Sequence, residues 1–164
     1  MVHRALIAAV LVLCGIYSQG CSTGRAAAPS RELLGLSVGM SRDEAEQRLN
    51  DIANLERTES GRQEVWRLNN NKSFSTVAVG FDKGNAVRYV TAFAEPAANE
   101  VIPFSSVGDI KAAKAEIMPP HYRYIWASDD ATVNVYGDNP DHLTMYTISR
   151  PEKGGKSENA DDDD

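Results

Sequence analysis

The sequence predicts an α+β fold made of two helix-strand-strand-strand repeats, which form an antiparallel sheet with the helices on one face. Three observations lead to this prediction. Each half of the folded region begins with a capped amphipathic segment, three apolar strand-like segments follow it, and short turns join neighbouring segments. Short hairpins make neighbouring strands antiparallel, and helices that cover one face of the sheet leave the other face open.

The first twenty residues have the pattern of a secretory signal. Arg4 precedes thirteen uncharged, mostly apolar residues, 5–17, and Ser18, Gln19 and Gly20 follow. An apolar run of this length is too short to span a bilayer as a stable helix. Residues 1–20 therefore predict an exported chain.

Cys21 directly follows Gly20 at the end of the apolar run. Because Cys14 lies in the segment that would be cleaved, the mature chain has no partner for an internal disulfide. A small residue before a cysteine resembles the lipobox of bacterial lipoproteins, which implies a diacylglyceryl group on Cys21 and an acylated amino terminus. Ser22, rather than an aspartate, implies the periplasmic side of the outer membrane. The alternatives are ordinary secretion with a free thiol and an uncleaved anchor.

A tether and a tail flank the predicted domain. Residues 21–32 are small and polar and predict a tether, whereas residues 151–164 are charged and predict a disordered acidic tail. The folded domain is expected at 33–150. Without Arg4 and the five acids of 157–164, the chain has 16 basic and 18 acidic residues. A nearly neutral domain argues against a nucleic-acid role.

The first repeat begins with a helix. Ser41 stands three residues before Glu44, as in a capping box, and Ala45, Leu49 and Ile52 follow at helical spacing. The polar face of this helix is expected in water: Arg42, Glu46 and Arg48. Strands are predicted at 64–68, 74–81 and 86–93, with a hairpin turn at 82–85.

The second repeat is expected to follow the same order. Ser106 and Asp109 stand at capping positions, and an apolar stripe predicts a helix over 104–117. Strands are predicted at 122–127, 131–136 and 142–148. Each half has a tryptophan in its first strand, Trp66 and Trp126, so the pattern indicates a duplicated unit of about 60 residues.

The stretch "LGLSVGMSRDEAEQRL" is followed by a tryptophan strand and then by "VAVGFDKGNAVRYV", in a pattern that covers residues 35–93. This region resembles the SmpA/OmlA (BamE) domain of small outer-membrane lipoproteins and is similar to the tandem β-lactamase-inhibitor-like fold. The matching positions are Gly39, Met40, Ser41, Glu44, Phe81, Asp82, Gly84 and Val87. The resemblance implies a lipid-anchored protein-binding module whose partners are envelope proteins, among them components of outer-membrane β-barrel assembly.

No pattern of residues predicts catalysis, a metal or a cofactor. The sequence has no G-x-S-x-G elbow and no H-E-x-x-H motif. His121 and His142 are expected at the surface or at strand edges. The stretch 138–142, "DNPDH", could give oxygen ligands to a calcium ion, but an ordinary hairpin uses the same residues. We therefore expect binding rather than catalysis; the alternative function is an inhibitor or chaperone-like partner of a secreted enzyme.

Three aromatic residues are the candidate partner-binding site. Tyr122, Tyr124 and Trp126 alternate along one predicted strand and so project from one face of the sheet. On the open face they would form an aromatic platform for a protein partner. Against the helices they would be part of the core.

Overall fold

The structure is a computed structural model that describes residues 28–95 and 101–151. Cys21, the predicted signal peptide and the predicted acidic tail beyond Pro151 lie outside the described residues. The elements in chain order are β1 (Glu32–Leu33), β2 (Leu36–Ser37), α1 (Arg42–Ile52), β3 (Ala53–Glu59), β4 (Gln63–Leu68), β5 (Phe74–Phe81), β6 (Val87–Ala94), two 3-10 turns (Phe104–Ser106 and Ile110–Ala112), β7 (Lys114–Met118), β8 (His121–Ala127), β9 (Thr132–Gly137) and β10 (Met145–Ser149).

Eight strands form one antiparallel sheet in the order β3-β4-β5-β6-β10-β9-β8-β7. The sheet consists of two four-stranded meanders, one from each half of the chain. The last strands of the two meanders, β6 and β10, pair with each other through five registered residue pairs. The edges of the sheet are therefore β3 and β7, the first strand of each meander.

The predicted α+β fold class, with helices on one face of two repeats, is wrong. The described residues contain one α-helix, and the protein is mostly β. Each half contributes four strands to the sheet instead of three. The duplicated helix-strand-strand-strand unit is therefore not the unit that this chain forms.

The second predicted helix, 104–117, forms two 3-10 turns and strand β7 instead. The Ser106 hydroxyl donates to the carbonyl of Pro103, and the Asp109 carboxylate caps only the short turn, through the N–H of Lys111. Buried Gly108 packs against Pro29, where an added Cβ would lie 3.3 Å from the Pro29 nitrogen. From 114 onward, polar and apolar residues alternate with period two, so strand pairing with β8 replaces the helix.

Strand β3 was missed because its sequence has little apolar character. Leu55 is the one large apolar residue of β3, Ala53–Glu59, and most of the strand is exposed. An edge strand with one neighbour does not need the apolar alternation that signals a buried strand. Its position next to β4 comes from backbone pairing.

Helix α1 is confirmed. Ser41 is its N-cap and accepts from the N–H of Glu44 at 3.3 Å, while Ala45 and Leu49 are fully buried. The turn at 82–85 is also confirmed: the Asp82 carboxylate accepts from two backbone amides, and Asn85 has a φ of 58°. The other predicted strands are present, with ends shifted by up to three residues.

One face of the sheet carries the hydrophobic core, and we call it the covered face. Opposing residues of successive strands share this face in a row: Trp66, Val77, Ala92, Tyr146, Val135 and Tyr124. Helix α1 and the β1–β2 hairpin pack on it through Leu33, Leu36, Ala45 and Leu49. No described helix is long and apolar enough to cross a membrane.

Candidate binding surface on the open face of the sheet

The opposite side of the sheet, which we call the open face, takes no part in the core cluster that the described residues form with α1. Because opposing residues of antiparallel strands point to the same side, the strand register gives two central rows on this face. The first row is Val65, Ala78, Thr91, Thr147, Asn134 and Ile125; the second is Arg67, Thr76, Phe93, Met145, Tyr136 and Arg123.

Apolar and aromatic side chains cross the junction of the two meanders on the open face. Phe93 of β6, Met145 of β10 and Tyr136 of β9 are neighbours in register. Phe93 is 39% exposed, and the other two are half-buried. Beside them, the hydroxyls of Thr91 and Thr147 are 3.0 Å apart, so a hydrogen bond joins the two meanders. The junction thus presents an accessible apolar row on hydrogen-bonded strands.

Arg123 is held in place at one end of this row. Its Nε and Nη2 donate to the side-chain oxygen of Asn134 at 3.2 and 2.8 Å, and its Nη1 donates to Glu116 at 3.0 Å. The guanidinium also lies 5.1 Å from the ring centroid of Tyr136. An arginine fixed by three groups loses little further freedom when a partner contacts it.

At this end of the open face, two cations share one carboxylate. Lys114 Nζ donates to the Glu116 carboxylate at 2.8 Å, and this hydrogen bond is the main reason that the pKa of Glu116 lies below its ordinary value. The positive charges of Lys114 and Arg123 lower the pKa further. Glu116 therefore remains a carboxylate at neutral pH and holds both cations at the edge of the row.

At the other end of the open face, Tyr89 lies across Gly80. A Cβ at Gly80 would collide with the Tyr89 ring, so only glycine allows this packing. The Tyr89 hydroxyl donates to the side-chain oxygen of Gln63, and burial raises the pKa of Tyr89. Four residues of the first row are buried: Val65, Ala78, Thr91 and Asn134. The accessible apolar part of this face is therefore centred on Phe93, with polar side chains at both ends.

The predicted partner-binding residues lie on the covered face. The Trp126 Nε1 donates to the carbonyl of Asp109 at 3.0 Å, and Trp126 is buried. The Tyr124 ring lies 4.9 Å from the Phe104 ring at 57°, and Tyr122 also packs against the core. Their contacts are those of core residues. A partner-binding role for Tyr122, Tyr124 and Trp126 stays a prediction, as does lipidation of Cys21.

The two histidines are not brought together. His121 is exposed at the start of β8, whereas the His142 ring lies 3.1 Å from the Asn139 amide nitrogen. The Asn139 side-chain oxygen accepts from the N–H groups of Asp141 and His142, which makes "DNPDH" an ordinary turn. Among the residues that the structure describes, no group of three or more His, Cys, Asp or Glu side chains could hold a metal ion.

Sequence reasoning missed a polar cluster at the start of α1, in which Glu64 is buried and Arg42 and Glu46 are half-buried. Arg42, which was expected in water, donates to Glu46 at 2.6 Å and to Glu64. The Arg42 guanidinium also lies 5.0 Å from the Phe81 ring centroid. The alternation of Glu64 with Trp66 in β4 places both side chains on the covered face, and this signal could have revealed the cluster.

Comparisons with known proteins give a distant structural likeness. No protein-family model matches the chain, and no curated protein matches it. The structure is similar to a 1.5 Å crystal structure of an extracellular protein containing a SCP domain from Bacillus anthracis str. Ames, with a TM-score of 0.46 and 11% sequence identity. The likeness covers 79% of this chain and 49% of that protein, so the chain spans about half the length of the protein it matches.

Proposed function

We propose that this protein is an exported lipoprotein that binds envelope proteins through the open face of its sheet. The observation that carries the proposal is the row of Phe93, Met145 and Tyr136 with Arg123 fixed at its end. Aromatic, methionine and arginine side chains are enriched at protein interfaces, where an apolar centre is surrounded by polar groups. The open face has this arrangement.

The anchor in this proposal is Cys21, on the periplasmic side of the outer membrane. Its support is the sequence, in which Gly20 and Cys21 end a short apolar run after Arg4. A lipid anchor would hold the domain near envelope proteins, and the resemblance to SmpA/OmlA domains favours components of β-barrel assembly among them. The proposed role is binding, without a reaction of its own.

The anchor is tested with Cys21→Ala. We expect this variant to lose incorporation of a fatty-acid label and to remain as an uncleaved precursor or a soluble product. The measurement is metabolic labelling with a clickable palmitate analogue, with Cys14→Ala as the matched control that keeps its label. A Cys21→Ala protein that is labelled like the wild type would contradict lipidation at this position.

The binding surface is tested by photo-crosslinking in cells. A photoreactive phenylalanine analogue at position 93 should crosslink a defined envelope protein, whereas the same analogue at Gln47, on the exposed side of α1, should not. Phe93→Ala and Tyr136→Ala should each lower partner recovery by roughly tenfold, the size expected for central interface residues. Equal crosslinking from positions 93 and 47 would overturn the proposal. A single soluble hydrolase as the crosslinked protein would instead indicate an inhibitor.

A further inference from the structure

The two edges of the sheet differ in whether they are protected against the addition of another strand. Edge strand β3 is interrupted by a register shift between Leu55 and Arg57. Its charged side chains form ion pairs, Glu56 with Arg67 and Arg57 with Glu59. Irregular backbone and charge on an edge strand are the usual means by which proteins prevent strand addition. The β3 edge is therefore protected.

Edge strand β7 has no such interruption, and its two charged side chains, Lys114 and Glu116, pair with each other and leave its last two residues uncharged. All five of its residues pair in unbroken register with β8. Among the described residues, no backbone hydrogen bond is made on the outer side of β7. Its last two residues are apolar and exposed, Ile117 by 51% and Met118 by 76%. This edge offers free backbone donors and acceptors beside apolar side chains.

A cavity of about 650 Å³ lies beside this exposed end of β7. The side chains that line it come from three neighbouring strands and include Ile117, Met118, His121, Tyr122, Arg123 and Tyr136. In peptide recognition by strand addition, backbone hydrogen bonds along the edge provide affinity, and a pocket for alternate side chains provides specificity. The β7 edge and the cavity together supply both parts.

We propose that β7 accepts an extended peptide of a partner protein as a ninth strand, with one bulky apolar side chain of that peptide in the cavity. A second copy of this chain fits the edge less well. A five-residue edge is small beside the roughly 1,200 Å² that stable protein interfaces bury, and self-pairing centred on Glu116 would oppose two like charges. A short peptide avoids that repulsion and can fill the cavity.

This inference goes beyond the open-face proposal, because it concerns the backbone edge of β7 and a ligand of defined chemistry; the cavity shares only Arg123 and Tyr136 with the open-face row. The two surfaces can be separated by variants. Ile117 and Met118 belong only to the edge, and Phe93 belongs only to the open face. Loss of peptide binding at the edge with normal crosslinking at position 93 would support the proposed function alone. Normal peptide binding with loss of crosslinking at position 93 would support this inference alone.

The test begins with selection of random phage-displayed decapeptides on the purified full-length protein. We expect the selected peptides to share one large apolar residue at a constant place in an extended sequence. The best peptide is then synthesised with a fluorescent label and measured by anisotropy. Methylation of alternate backbone amides in the peptide should weaken its binding by roughly tenfold or more, because strand addition uses those amides.

Variants of the protein complete the test. The double variant Ile117→Lys, Met118→Lys should also weaken peptide binding by roughly tenfold, because lysine on an edge strand opposes strand addition. The matched control is Leu55→Lys on the opposite edge, where the leucine is 49% exposed, and it should bind like the wild type. Selection without an apolar consensus, binding that tolerates amide methylation, or a dimer in sedimentation that the double variant abolishes would each overturn the proposal.

Discussion

Glu64 introduces a carboxylate into the covered face of the sheet. It is 2% exposed, accepts from the Trp66 Nε1 at 3.1 Å and pairs with Arg42 at the start of α1. A buried charge is tolerated only where partners replace its water. Here Arg42 of α1 supplies the cation, and Trp66, two positions along β4, supplies the indole donor. Glu64 therefore links α1 to the sheet.

Replacing Glu64 by alanine should lower the free energy of unfolding by about 2 kcal/mol, because the indole N–H of Trp66 and one side of Arg42 lose their partner. The matched control is Glu56→Ala, which removes an ion pair with Arg67 at the surface and should cost less than about 0.5 kcal/mol. Urea titration followed by circular dichroism measures both. Equal losses would show that burial of Glu64 does not matter.

The same residue should make stability depend on pH. Burial raises the pKa of Glu64 more than the hydrogen bond from Arg42 lowers it. A carboxyl whose pKa is higher in the folded state binds its proton more tightly there, so acidification favours folding through this group. Compared with Glu64→Gln, the wild type should gain stability as the pH falls through the raised pKa, and the gain should end below the ordinary value of 4.5. A relative loss on acidification would contradict this direction.

At the scale of the element, β8 presents alternate side chains to the two faces of the sheet. Tyr122, Tyr124 and Trp126 pack against the covered face, and Arg123 and Ile125 lie between them on the open face. Sequence periodicity correctly groups the three aromatic residues on one face, but it does not show which face the helix covers. The contact of Tyr124 with Phe104 shows that this is the covered face.

Adjacent residues of β8 should therefore respond differently to truncation. Tyr124→Ser should cost about 3 kcal/mol of unfolding free energy, because it leaves a cavity against Phe104. Arg123→Ser should cost about 1 kcal/mol, since its ion pair with Glu116 is at the surface and the loss is mainly that of its hydrogen bonds to Asn134. Partner recovery should fall for Arg123→Ser and be normal for folded Tyr124→Ser. Thermal unfolding beside crosslinking at position 93 measures both, and the opposite order would place the binding surface on the covered face.

At the scale of the whole molecule, the β6–β10 pair makes two meanders into one sheet. Val90 and Ile148 oppose each other across this junction, and both are fully buried. The strands of this pair are far apart in the chain, so the pairing forms only when both halves have folded. The apolar row of the open face crosses the same junction. A binding surface of this kind therefore requires the complete sheet.

The two meanders should unfold together. Each contains one of the two tryptophans of the chain, so Trp66→Phe and Trp126→Phe leave a fluorescence probe in one meander at a time. We expect each single-tryptophan variant to give a fluorescence transition that coincides with its own circular-dichroism transition. Ile148→Ala should lower the free energy of unfolding reported by both probes by about 3 kcal/mol. Exposed Ile117→Ala should change neither value by more than about 0.5 kcal/mol. Separate transitions within a variant would show that the meanders are independent.

The sequence by itself determined the local elements of this protein. Ser41 caps α1, Ala45 and Leu49 mark its buried face, and Asp82 with Asn85 forms the hairpin turn. These features depend on residues within a few positions of each other, and their patterns are therefore visible in the sequence. The central strands also carried enough β-branched and aromatic residues to be recognised.

Only the tertiary structure decided which segments became edge strands and which face of the sheet remained open. Ile117 of β7 ends an apolar stripe compatible with a helix, and residues 114–117 also alternate as in a strand; pairing with β8 decides between the two. Likewise, polar β3 is a strand because β4 lies beside it. Which face of β8 is covered depends on Phe104 and on α1, which packs on the same face from much earlier in the chain. The edge strands depend on pairing with the next strand, and the choice of face depends on contacts with α1, so the local pattern of apolar residues decides neither.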